Sequence, residues 1–179
     1  VIPIASGDGF SGWHALNDTV MGGRSQGSCR IGPGGLVFEG AIEVGGGFIS
    51  CRSPLFSPPL DLSACLGLEL DLVGEGRRFK LAVACADGLA GLTNLIPGGL
   101  RWVFEFGTEA PGSSVIRIPF ADLRPSVRAK PVGLPLRFDP SSITRLQVLH
   151  SRFADDGGPN TGFRAGEIHL ELHAIRGFV

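Results

Sequence analysis

Two imidazoles and a carboxylate alternate at His169, Glu171 and His173. On a strand these side chains project from one face at a spacing of about 7 Å, and such a donor set could hold a divalent metal. The same alternation is ordinary on the wet face of an antiparallel strand, which is the reading adopted here, with no metal and no cofactor. Asp155, Asp156 and Asn160 place hard oxygens in a glycine-rich loop, but their spacing fits no EF-hand and a solvated turn accounts for them. The histidines His14, His150, His169 and His173 stand near no GxSxG elbow and no Cys/His arrangement, so no nucleophile, base and orienting group come together in the sequence. The chain reads as a non-enzyme. Gly74-Glu75-Gly76-Arg77-Arg78 resembles half a phosphate loop, yet no helix follows to supply an N-terminal dipole, and a β-turn explains it better.

A denser cluster lies near the start of the chain. Trp13, Asn17, Asp18, Met21, Arg24 and Ser25 fall within a short loop around the glycine-rich turn Asn17-Asp18-Thr19-Val20-Met21-Gly22-Gly23. Aspartate closes turns by accepting backbone N–H bonds, and glycine permits positive φ. Two readings stay open: a plug that closes one end of a barrel, or a surface that touches a partner.

The elements that must position these residues are strands. A helical period is nearly absent, whereas short apolar or alternating stretches recur between Gly, Pro, Asp and Ser clusters. Strands are expected at 35–44, 47–52, 67–73, 79–85, 101–106, 114–119, 143–151 and 167–175. In the last, Ile168, Leu170, Leu172 and Ala174 should face the core, opposite Glu167, His169, Glu171 and His173. Pro58-Pro59-Leu60-Asp61-Leu62-Ser63 and Phe138-Asp139-Pro140-Ser141-Ser142-Ile143 read as turns leading into strands and echo each other. The longest irregular stretches fall at 87–100, 121–137 and 154–166. Strands at this spacing without long helices predict an all-β chain, an antiparallel β-sandwich or jelly roll, as a single domain over 1–179.

Composition limits the partners. With 16 basic and 17 acidic residues the formal net charge is −1, so no global field draws nucleic acid or an anionic membrane, although a local patch is compatible with it. Only Lys80 and Lys130 of the basic residues are not arginine, and arginine favours bidentate contact with carboxylate or phosphate. Cys29, Cys51, Cys65 and Cys85 form no CxxC pair and sit among small or apolar residues, so buried free thiols and a reducing compartment are expected. No apolar run approaches a membrane span, which predicts a soluble chain. There are twelve Phe, two Trp and no Tyr, so Trp13 and Trp102 are the candidate platforms should the domain bind sugar.

The loop residues carry a family resemblance. Trp13 with Asn17-Asp18-Thr19-Val20-Met21-Gly22-Gly23-Arg24-Ser25, then Phe38-Glu39-Gly40, Gly46-Gly47-Phe48-Ile49-Ser50-Cys51-Arg52-Ser53, Gly74 to Leu81, Ile118 to Pro125 with Arg128, Ile143, Gly162-Phe163 and the final strand resemble the complex I intermediate-associated protein 30 family. The resemblance covers nearly the whole chain and implies a galactose-binding-domain-like jelly roll. It implies a non-catalytic assembly factor or chaperone-like module for a membrane-associated redox or photosynthetic complex, and the alternative is a carbohydrate or small-molecule-binding module. The partner would be a protein subunit or assembly intermediate of a membrane complex, through which peripheral membrane association could follow. The location would be the cytoplasmic or organelle-matrix side. Trp13, Asn17, Asp18, Met21, Arg52, Arg77, Arg78, Asp122 and Arg128 are the expected partner-binding residues, since tryptophan and arginine dominate interface hot spots.

Overall fold

A computed structural model describes residues 1–17, 24–43, 45, 47–86, 99–109 and 112–179. Among these residues thirteen strands pair antiparallel in two sheets. In chain order they are β1 (Ile2–Ser6), β2 (His14–Ala15), β3 (Gln26–Gly32), β4 (Gly35–Ile42), β5 (Phe48–Arg52), β6 (Gly67–Gly74), β7 (Arg78–Cys85), β8 (Arg101–Gly107), β9 (Gly112–Pro119), β10 (Arg124–Val127), β11 (Lys130–Pro131), β12 (Ile143–Ser151) and β13 (Gly166–Phe178). The first sheet runs β3-β4-β13-β6-β9, with β1 also on β13; the second runs β11-β10-β8-β7-β12-β5-β2. No helix among the described residues is long and apolar enough to cross a membrane.

β13 organises the first sheet. It pairs with β4 along 166–172 and with β1 along 174–177 on one edge, and with β6 along 171–178 on the other. Ile168, Leu170 and Leu172 are buried as their alternation requires, with Glu167, His169, Glu171 and His173 on the outer face. A bulge between Leu172 and Ala174 then shifts the phase, so that Ile175 enters the core and Arg176 points out to Glu69 and Asp71. Between the sheets, Phe38, Leu70, Leu72 and Ile118 meet Phe79, Leu81, Val83, Ile143, Leu146 and Val148 in one apolar layer.

Five strands escaped the sequence reading: β1, β2, β3, β10 and β11. Two of them are only two residues long, and β3 buries none of its residues fully, so the apolar signal that betrays a strand is missing. The stretch at 121–137 is accordingly less irregular than expected, because β10 and β11 form a hairpin in it. The cysteines need a larger correction. Cys29 on β3 and Cys51 on β5 are joined by a disulfide across the two sheets, with Cα atoms 6.1 Å apart, while Cys65 and Cys85 are free. The spacing of isolated cysteines carries no information about which strands will face each other, so the expectation of four free thiols does not hold.

Candidate functional site

Residues of the Asn17 turn are tied into the fold where they are described. Trp13 is buried and meets Phe10 edge-on at 5.4 Å. Asn17 Nδ2 donates to the Gly27 carbonyl at 3.1 Å, and Gly27 itself pairs with Gly40 across β3 and β4. A Cβ on Gly27 would lie 2.7 Å from Asn17 Oδ1, and one on Gly40 would strike the Gln26 carbonyl and stand 2.6 Å from the Gly27 Cα. Asn17, Gly27 and Gly40 therefore require one another. Asp18 and Met21 lie outside the described residues.

The two arginines of the β6–β7 turn part company. Arg77 is buried; it donates to the Arg164 carbonyl, and to the Glu167 carbonyl at 2.8 Å, and its guanidinium is 3.4 Å from His150 Nε2. Burial, then the nearby Arg164 charge, lowers its pKa, with Glu75 acting the other way. Reversing its charge would thus perturb the fold itself, not only a surface contact. Arg78 points outward and pairs with Glu105 at 2.6 Å. Asp122 is exposed in the short 3-10 turn Phe120–Asp122, and Arg128 is exposed at the β10–β11 hairpin tip, where it and Ala129 both take left-handed backbone angles of 50° and 64°. Two consecutive non-glycine residues there are costly, and the turn holds Arg128 out from the sheet.

Two other candidate groups are engaged internally. Both oxygens of Glu171 face imidazoles, His169 Nε2 and His173 Nε2 at 3.2 Å each, and His169 Nδ1 faces Glu39 at 3.3 Å. These contacts, His173 first, hold the Glu171 carboxyl below the usual range. Asp155 accepts the Glu105 N–H, Asp156 accepts the Gly158 N–H, and the buried Asn160 bridges the Ser151 carbonyl and the Gly162 N–H, so the three side chains serve separate backbone groups. The tryptophans are no sugar platform: Trp13 is 8% exposed and Trp102 6%, the latter edge-on to Phe138 at 5.6 Å.

What the sequence reading did not assemble is the outer face of the seven-stranded sheet. Since Leu146 and Val148 of β12 point into the core, Arg145 and Gln147 point away from it. Gln147 is flanked by Arg52 on β5 and Ala82 on β7, and Arg52 is flanked in turn by His14 on β2, whose Nε2 accepts its Nε–H at 2.9 Å. In the neighbouring row Arg145 lies beside Ala84, and the β7–β8 register, Val83 opposite Trp102, brings Arg101 to the far side of that alanine. Three strands thus present Arg52, Arg101 and Arg145 on one face. Arg101 is shifted down by burial and then by Arg52; Arg145 is shifted down by burial, then Arg52, then Arg101. Arg145 Nε is buried without an acceptor.

Two sandwiched antiparallel sheets define a jelly roll of the galactose-binding-domain-like kind. The family 11 carbohydrate-binding module of a cellulosomal cellulase of Clostridium thermocellum is similar at a TM-score of 0.62 and 16% identity, over 94% of this chain and 88% of that one. Its complex with a beta-1,3-1,4-mixed-linked tetrasaccharide gives 0.61 at 17%, over 99% and 96%. A family 30 module from a cellulosomal cellulase of the same organism gives 0.56 at 17%, over 98% and 96%. These identities establish the shared fold alone. The family model of Complex I intermediate-associated protein 30 (CIA30) matches residues 3–172, and the chain belongs to that family. No curated protein sequence matches it.

Proposed function

We propose that this chain is a non-catalytic assembly module that holds a protein subunit or assembly intermediate of a membrane-associated redox complex. The observation that carries this reading is the family match along residues 3–172, because the family is named for association with complex I intermediates. The exposed Asp122 and Arg128, with Arg52 and Arg78 on the outer sheet face, are the partner contacts in this proposal, together with Asp18 and Met21. Trp13, Asn17 and Arg77 support that surface from beneath. Arginine fits the role because its planar fork makes bidentate contacts at little entropic cost.

The test is recovery of partners from the native host by affinity capture and mass spectrometry, comparing the parent with the double variant Asp122→Lys, Arg128→Glu. The parent should bring down subunits of one membrane redox complex. The variant should lose them at least tenfold, with a thermal midpoint within a few degrees, as expected for surface substitutions. A variant with an undiminished partner set, or a parent with no redox subunits, would overturn the proposal. Carbohydrate binding rests on the likeness of fold alone, and with both tryptophans in the core a glycan array is expected to show no binder.

A further inference from the structure

We propose that Arg52, Arg101 and Arg145 form a binding site for the phosphoryl group of a small molecule, on the outer face of the seven-stranded sheet.

Placement comes first. Arg145 on β12 and Arg101 on β8 flank Ala84 of β7 in one cross-strand row. Adjacent strands lie about 4.8 Å apart, so the two arginine Cα atoms are on the order of 10 Å apart, and both side chains can reach inward over the alanine methyl. Ala82 occupies the matching position in the next row, beside Gln147. Both alanines are buried, at 4% and 7% exposure, beneath the longer side chains around them. Arg52 completes the triangle from β5, one register step along and on the other side of β12.

Charge is the second observation. Arg78, Arg117, Arg124 and Arg176 each lie within ion-pair distance of a carboxylate. Among the described residues, no Asp or Glu stands in that relation to Arg52, Arg101 or Arg145. The guanidiniums repel one another, and each is partly withdrawn from water. Gathering three cations on one sheet face, with no carboxylate partner among the described residues, opposes folding.

The third observation is an unmet hydrogen bond. Arg145 Nε has no acceptor although it is sealed from solvent, and a buried donor left unpaired is unusual and unfavourable. An acceptor that entered between the arginine side chains as they part would answer it. Elsewhere in the cluster, Arg52 Nε is committed to His14 and one Arg101 nitrogen to the Leu100 carbonyl, which fixes both side chains and leaves their other nitrogens to the ligand.

The ligand class follows from charge and shape. A single carboxylate would neutralise one of three cations. A phosphoryl dianion or a pyrophosphate carries enough charge and enough acceptor oxygens to engage three guanidinium forks together, and charge-assisted bonds of this kind are the strongest available to a surface site. The group could arrive as a free inorganic anion or as a phosphate ester; the chemistry at the arginines is the same.

The test is made on the whole chain at low ionic strength, by calorimetric titration with inorganic phosphate, pyrophosphate, ADP and a poly-glutamate peptide. At least one phosphoryl ligand should bind, less tightly as salt is raised. At one hundred times its dissociation constant it should raise the thermal midpoint by roughly 5–10 °C. Pyrophosphate ahead of ADP identifies a free anion, and the reverse order identifies an ester. Arg145→Gln and Arg101→Gln, made separately so that either suffices if the other does not fold, should each weaken binding at least tenfold. Without ligand their midpoints should equal or exceed the parent's, because repulsion is relieved. Absence of binding by all three phosphoryl ligands, affinity unchanged in both variants, or poly-glutamate bound through these arginines while phosphates are ignored would overturn the assignment. None of these readings depends on recovering a protein partner, so this site and the assembly role fail separately.

Discussion

His150 lies between the rings of Phe79 and Phe163, with centroids at 5.4 and 5.6 Å. Its Nδ1 is 2.7 Å from the Arg78 carbonyl, so Nδ1 carries the proton and Nε2 is left as the acceptor facing Arg77. Burial foremost, with the positive charges of Arg77, Arg164 and Lys80 and against the pull of the Arg78 carbonyl, holds its pKa down to about 4. An unfolded histidine titrates near 6.5, so as the pH falls below that value the unfolded chain takes up a proton that the folded chain refuses until about 4. Stability from this group is complete above that window and declines by about 3 kcal/mol across it. The lowered carboxyls of Asp61, Glu69, Asp139 and Glu171 stabilise at higher pH and begin to give up that contribution as the pH falls through their ordinary values of 3.8 and 4.5, at the lower end of the histidine window. Urea midpoints from pH 7 to 5 should therefore fall steadily in the parent and much less in His150→Gln; equal slopes would show that the imidazole is not the group responsible. Neither this latch nor the burial of Arg77 was legible, since both depend on the 163–167 segment returning over a turn that is far away in sequence.

At the level of elements, the strands that pack on both faces were legible and the marginal ones were not. β12 runs from Ile143 to Ser151, as alternation predicts, whereas β3 reads Gln-Gly-Ser-Cys-Arg-Ile-Gly and offers no period to see. The echo between the two proline turns has a physical basis. Asp61 accepts from the Ser63 N–H and hydroxyl at 3.0 and 2.6 Å, and Asp139 accepts from the Ser141 N–H and hydroxyl at 2.9 and 2.6 Å. The two turns then join through Leu60 and Ile143, each N–H donating to the other's carbonyl. Turn chemistry of this kind is local and can be read from sequence. Cross-strand register is not local, which is why Arg101 and Arg145, both at outward positions of expected strands, were not seen to converge with Arg52. Register also governs Gly40, whose missing Cβ lets β3 approach β4 at Gly27. Gly40→Ala should cost about 1–3 kcal/mol by denaturant unfolding, while Gly45→Ala, with open space around the site, should be close to neutral. Similar midpoints for the two variants would show that β3 can retreat without penalty.

For the whole molecule, the question is what keeps β3, an edge strand that buries none of its residues fully, fastened to the opposite sheet. The apolar layer between the sheets supplies most of the cohesion, but β3 contributes little to it, because none of its residues is fully buried. The Cys29–Cys51 bridge compensates at that point: it links β3 of one sheet to β5 of the other across a sequence separation of 22. Closing a loop of that length restricts the unfolded chain and should stabilise the fold by about 3 kcal/mol. For a domain of this size, reduction should lower the thermal midpoint by roughly 6–12 °C. Scanning calorimetry with and without a thiol reductant measures the difference, and the Cys29→Ser, Cys51→Ser double variant should match the reduced parent and no longer respond to reductant. Cys85 lies on β7, its thiol pushed up to about 12 by burial, so it stays protonated and does not exchange with the bridge. A Cys85→Ser variant should consequently show the parent's full response. If reductant leaves the parent's midpoint in place, the edge of the first sheet is held by β-pairing to β4 alone, and the two faces of the sandwich are fastened only through their apolar layer.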